Sequence, residues 1–358
     1  MHIGAILTIA GPPSSGRSRS VARSGSLLLG RPTALWDILG KSLLDRTIER
    51  LRVFGVDRVS VIFEDGQFRV PRLAATTGSS NEGGHSFWDD WDAVVSQYLN
   101  HGMETLLLAR LGAYAEVDLE DLLRFHHQNE SDLTQVCHED EALDFVLVRC
   151  SRLREEKGSF RNRLSNLLHL RQAYAMRGCF NRLSEAEDFR RLVTDSLLGR
   201  CSIRPVGVEV EPGIWIGRGA RVDASATLEA PAYLGANSSL GPACRLLGMS
   251  TIERSCDIDA GTTIEQSSVL ESTYLGMGLH VRNALAGNGR LFHLEREIEI
   301  EIQDSRLMGR PGLHHHVTRA ARSFVNSVLS TRAGQSASVY RQIATSGSSS
   351  KENTRNGG

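Results

Sequence analysis

Residues 11–26 (GPPSSGRSRSVARSGS) combine glycine, serine and arginine in one short stretch. Backbone N–H groups near Gly11 and Gly16, the Ser15 hydroxyl and the Arg17 guanidinium are the groups that cradle a phosphate. The same composition also suits an ordinary polar connection, so both readings stand. The histidines suggest less. His126 and His127 read as surface or helix-end residues. His314, His315 and His316 are adjacent and so cannot easily converge on one ion. Six cysteines occur without a C-x-x-C pair, and Cys244 and Cys256 read as small structural residues. No metal set is expected from these types and spacings.

The elements that must position the loop are legible on both sides of it. His2–Ala10 is an apolar run ending at Gly11-Pro12-Pro13, which reads as a buried strand. Ser42–Phe54 carries Leu43, Leu44, Ile48 and Leu51 at helical spacing, with Gly55 to close it. Arg58–Phe63 is a second strand, so the order is that of a right-handed βαβ unit in a parallel sheet. After a polar loop at Thr76–His85, Ser86 with Asp89 caps a helix whose face is Phe87, Trp91, Val94, Val95 and Leu99. Glu104–Leu108 and Asp132–Cys137 read as strands, and Asp118 opens a helix between them. Region 141–183 is basic and irregular in pattern. Ser184 and Glu187 form a capping box for a helix through Leu198.

A different order begins at Val210. Every sixth residue, Val210, Ile216, Val222, Leu228, Leu234, Leu240, Leu246, Ile252, Ile258, Ile264 and Leu270, is aliphatic. Four places after each come mostly small residues such as Ala220, Ala226, Ser238, Cys244 and Ser250. A period of six fits neither a helix nor a flat strand. It fits three short strands per coil, with aliphatics inside a triangular prism and small residues at the corners. Columns such as Ile216, Leu234, Ile252 and Leu270 then stack inward, and the position after each, Glu253 for example, points outward. The register slips beyond Leu270, where Leu275 follows after five. Glu297–Ile302 alternates glutamate with isoleucine and suits an edge strand with an acidic outer face. Val317 to Leu329 has the spacing of an amphipathic helix that caps the coil, and the chain from Gly334 is rich in Ser, Gly and Asn.

The composition narrows the partners. The chain has 358 residues with Lys+Arg 41 against Asp+Glu 42. Nothing in that balance favours nucleic acid or an anionic membrane. No leader and no long apolar run is present, so a cytoplasmic location is expected.

The six-residue repeat resembles the left-handed β-helix of hexapeptide proteins. With the α/β segment before it, the chain resembles the sugar-nucleotide pyrophosphorylases of the GDP-mannose and glucose-1-phosphate types. RPTALWDILGKSLLDRTIERL (Arg31–Leu51) is similar to the family's R-P-K-P-L, G-K-P-L-L and I-E-x-L segments. ETLLLARLGAYAEVDLEDLLRFH (Glu104–His126) is similar to its strand, N-G-D turn and D-L-x-x-L-L-x-F-H helix. CFNRLSEAEDFRRL (Cys179–Leu192) is similar to W-x-D-I-G-T-P-E-D-Y. The resemblance implies a Rossmann-like parallel-sheet nucleotidyltransferase domain at 1–200 and a β-helix at 206–285. A C-terminal strand and capping helix at 286–332 and a disordered tail at 333–358 complete the expected organisation.

The departures from the family pattern fall on the chemistry. Family enzymes join a nucleoside triphosphate to a sugar 1-phosphate, using a G-x-G-T-R loop, a lysine and two aspartates on Mg²⁺. Here Pro13 replaces the second glycine of the loop and removes an N–H donor. The lysine position is Thr33, and the two aspartate positions are Gly112 and Arg182. Gly11, Ser15, Gly16 and Arg17 are left as a vestigial nucleotide site, with no metal ligands and no cofactor unless Mg²⁺ serves an active form. The resemblance therefore implies a sugar-nucleotide-binding or regulatory subunit that has lost catalysis. It is expected as a homo-oligomer or in complex with an active pyrophosphorylase. The alternatives are an active enzyme with a rearranged site, or a hexapeptide acyltransferase using His280 or His293.

Overall fold

A computed structural model describes residues 2–9, 27–64 and 87–312. The Gly11–Arg17 loop, the Ser86 cap, His314–His316, the Val317–Leu329 segment and the tail lie outside the described residues. The chain divides into two compact units. The first holds Met1–Trp36 and Lys41–Leu192; the second holds Asp37–Gly40 and Val193–Gly358. Among the described residues, no helix is long and apolar enough to cross a membrane.

The first unit is α/β. Its elements begin with β1 (Ile3–Ile9), α1 (Leu43–Phe54), β2 (Arg58–Phe63), α2 (Phe87–Asn100) and β3 (Thr105–Leu111). They continue with β4 (Tyr114–Ala115), α3 (Leu119–Gln128), β5 (Leu133–His138) and β6 (Glu141–Arg149). Two short helices, α4 (Cys150–Glu155) and α5 (Phe160–Leu168), precede β7 (Gln172–Ala175), β8 (Phe180–Asn181) and α6 (Ala186–Leu197). The main sheet runs β7-β5-β6-β3-β1-β2. β1 is parallel to both β2 and β3, and every residue of it is buried, as its unbroken apolar run requires. The expected all-parallel sheet needs one correction, because β6 runs antiparallel to both β3 and β5. A register irregularity between Ala142 and Val146 breaks the period-two pattern of β6. That break is why region 141–183 did not read as a strand.

Local signals account for the helix ends. Ser42 caps α1 by accepting from Asp45 N–H at 3.0 Å, and Gly55 closes it in the left-handed region at φ 95°. Asp118 caps α3 by accepting from the N–H groups of Glu120 and Asp121, both at 3.0 Å. The expected Ser184–Glu187 box does not form. Asp188 serves instead, its carboxylate 3.0 Å from Ser184 N and 2.7 Å from Ser184 Oγ.

His126 also departs from expectation. It is fully buried, with Nδ1 2.8 Å from Thr134 Oγ1, while His127 beside it is exposed. Burial is the main cause that pushes its pKa down to about 4, helped by His127 and Arg149. The imidazole is therefore a neutral core group at neutral pH.

The second unit is built from three sheets of eight, five and four strands, visited in the same cyclic order as the chain advances. Within each sheet the coil-to-coil pairs are parallel, and residues 18 apart come into register: Ile216 with Leu234, Leu240 with Ile258, Leu246 with Ile264. The inward aliphatics Leu234, Ile252, Ile258 and Ile264 are fully buried. Corner residues satisfy backbone groups of the next coil. Ser238 Oγ donates to Glu253 O at 2.7 Å, and Thr262 Oγ1 donates to Gly276 O at 2.6 Å. Asn237, Ala243, Met249 and Ser255, one every six residues, take positive φ of 58°, 53°, 59° and 57° to turn the corners.

Two features of the coil are corrected. Ile252 pairs with Val269, not Leu270, and Ile264 pairs with Val281. The coil is one residue shorter there, at the corner near Gln266 (φ 48°), so the slip precedes Leu270. Leu270 is buried but outside the column. Glu253 is not outward in solvent: only 1% of it is exposed, because Asp37–Gly40 covers it. The Ile298–Glu301 strand does close one edge of the eight-stranded sheet, although Ile298 and Ile300 are themselves about half exposed.

Candidate functional site

In a sheet wound in both directions, ligands bind beyond the carboxyl ends of the strands, where neighbouring connections diverge. Here β1 is flanked by β2 on one side and β3 on the other. Ile9 is in register with both Phe63 and Leu111, so three chain segments leave this edge together. One enters residues 10–26, and with them Gly11, Ser15, Gly16 and Arg17, outside the described residues. The second passes through Glu64. The third is the turn at Gly112, whose N–H donates to Arg110 O at 3.1 Å.

From that turn the chain enters β4, which pairs antiparallel with β8: Tyr114 faces Asn181 and Ala115 faces Phe180. Glu116 N–H extends the ladder by donating to Cys179 O at 2.9 Å. Arg182 follows β8 directly, and Gly112 lies two residues before β4. Two positions 70 residues apart in the chain thus flank one short ribbon. Gly112 offers no side chain there. The Arg182 guanidinium lies 2.5 Å from the Glu141 carboxylate at a largely exposed position. Thr33 is buried in its own turn at Thr33–Leu35, where its carbonyl accepts from Trp36 N–H at 3.2 Å.

The ribbon depends on a close approach at Gly178. A Cβ there would lie 2.1 Å from Glu116 O, well inside contact distance. Gly178→Ala is therefore expected to force the two chains apart and to cost about 1–3 kcal/mol, as other overpacked sites do. A melting temperature equal to that of the unmodified protein would contradict this register.

One pair at the same edge was not anticipated from the sequence. Arg110 on β3 reaches Glu64 beyond β2, with Nε 2.5 Å from Oε1 and Nη2 3.0 Å from Oε2, and Nη1 lies 3.5 Å from Asp144 Oδ2. Such a bidentate pair fixes the guanidinium plane and neutralises its charge. A phosphate arriving here would have to compete with Glu64. The available signal was a single charge, Arg110, inside the otherwise apolar run Leu106–Leu111.

Both histidines considered for acyl transfer lie on the stacked strands. His280 is exposed with Nε2 3.3 Å from Glu265 Oε2, and His293 is half-buried on the Arg290–His293 strand. Among the described residues, no group of three or more His, Cys, Asp or Glu side chains is arranged to hold a metal ion. No protein-family profile and no curated protein sequence matches this chain.

Proposed function

We propose that this chain is a nucleotidyltransferase-like protein that binds a sugar nucleotide at the carboxyl edge of its first sheet without turning it over. Its repeat unit would be a left-handed β-helix serving assembly, either with a second copy or with an active pyrophosphorylase. The observation that supports the reading is that Gly112 and Arg182 flank one short ribbon at that edge. Joining a triphosphate to a sugar phosphate needs positive charge held in place against their mutual repulsion, which two carboxylates on Mg²⁺ ordinarily supply. Gly112 has no ligand to give, and Arg182 carries the sign of the ion itself and is committed to Glu141. The donor set does not fit a divalent cation. An arginine can still recognise a phosphate directly, so binding survives the loss of the metal.

The test has two arms. Pyrophosphate release is measured with each of the four nucleoside triphosphates, with mannose 1-phosphate and glucose 1-phosphate, in Mg²⁺ and in Mn²⁺. No combination is expected to exceed about 1 s⁻¹, the low end of ordinary enzymes. In parallel, thermal unfolding is followed with GDP-mannose and with ADP- and UDP-glucose. A ligand present at a hundred times its Kd stabilises by about 2.7 kcal/mol, which is readily seen. Turnover in the first arm overturns the inactive reading. No shift with any sugar nucleotide overturns the binding reading.

A further inference from the structure

Within the second unit, the tetrapeptide Asp37–Gly40 is held by buried carboxyl groups. Glu253 Oε1 accepts from Leu39 N–H and Oε2 from Gly40 N–H, both at 2.8 Å. Asp37, fully buried, has its carboxylate 3.0 Å from Arg254 Nε, and its own N–H donates to Glu271 Oε2 at 3.2 Å. Leu39 O completes the attachment by accepting from Val206 N–H at 3.0 Å. The other titratable groups facing this place are the Cys256 thiol, which burial pushes up and so keeps neutral, and the Tyr233 hydroxyl, which donates to Val206 O at 3.2 Å. Three buried carboxyl groups therefore hold this segment beside one guanidinium, that of Arg254, whose side chain is itself 35% exposed. Fully ionised, they exceed its charge by two, and charges removed from water and left uncompensated are strongly disfavoured.

We propose that Asp37–Gly40 is held by a proton-dependent clamp, in which a proton kept by Glu253 beside the buried Asp37 carboxylate holds the segment on the stacked strands and its loss lets the segment open. The direction follows from the environment of Glu253. Burial, and after it the Asp37 carboxylate, push its pKa up to about 8, against the two backbone N–H groups that favour the anion; Glu271 pushes it in the same upward direction. The closed clamp then keeps a proton that the opened segment has already released above the ordinary carboxylate range. Its stability is highest at low pH and falls as pH rises from that range to about 8.

Hydrogen exchange read by mass spectrometry on the whole chain tests the clamp, comparing pH 6 with pH 9 after correction for intrinsic exchange. One pKa unit corresponds to about tenfold in an equilibrium, so peptides covering Asp37–Gly40 should lose at least about tenfold protection at pH 9. Peptides from Ser239–Leu246 should hold theirs. Asp37→Asn removes the neighbouring charge that, after burial, pushes Glu253 up most, and should narrow the difference. Equal protection at the two pH values in the unmodified protein overturns the clamp, as does a parallel loss in Ser239–Leu246, which would be general unfolding. An Asp37→Asn chain with undiminished pH dependence overturns the clamp's dependence on this pair of carboxyl groups. Should that variant fail to fold, the unmodified chain alone decides.

Discussion

Ile252→Asp is expected to destabilise the second unit by at least about 4 kcal/mol, enough to unfold it under mild conditions. Ile252 is fully buried and in register between Leu234 and Val269. Truncating a buried isoleucine costs about 2–5 kcal/mol, and a carboxyl without a partner in the same place adds desolvation of a polar group. The interior is a column, so both neighbouring coils lose contacts together. Ile252→Val, which keeps the shape, should cost only about 0.5–1.5 kcal/mol. Urea unfolding of the two variants provides the comparison. Equal midpoints would mean that Ile252 does not point into the prism.

Glu253→Asp should be the next most damaging change, although the sequence alone marks it as conservative and outward-facing. Asp is one methylene shorter, so it cannot reach both Leu39 N–H and Gly40 N–H, which Glu253 meets at 2.8 Å. Each buried donor left unsatisfied costs about 1–3 kcal/mol, so the pair costs about 2–6 kcal/mol. The number of carboxyl groups is unchanged, so no relief of crowding offsets that loss. Thermal unfolding at pH 6 measures it. A change below about 0.5 kcal/mol would show that the two backbone hydrogen bonds do not hold this segment.

The two sites show how unevenly the fold was written in the chain. The inward column at Ile252 was legible because a six-residue repeat states burial directly, as one aliphatic per flat. The slip was legible only approximately. Leu270 and Val269 are both apolar, and choosing between them depends on where the corner near Gln266 tightens. The helices with strong caps, at Ser42 and Asp118, were legible for a local reason, since the donor and acceptor lie within three residues of each other. At Ser184 a neighbouring carboxylate, Asp188, won the same competition.

By itself, the sequence determined that an α/β unit precedes a coil of stacked short strands. Periodicity, capping and residue type are local properties, and they survive in one dimension. Only the tertiary structure decided that β6 runs antiparallel within the sheet and that His126 is buried. Only there do Arg110 and Glu64 meet across β1, and only there is Glu253 covered by a segment more than two hundred residues earlier. Each of these depends on what packs against a residue from far along the chain. A glutamate beside an aliphatic reads as solvated until the peptide that covers it is in place.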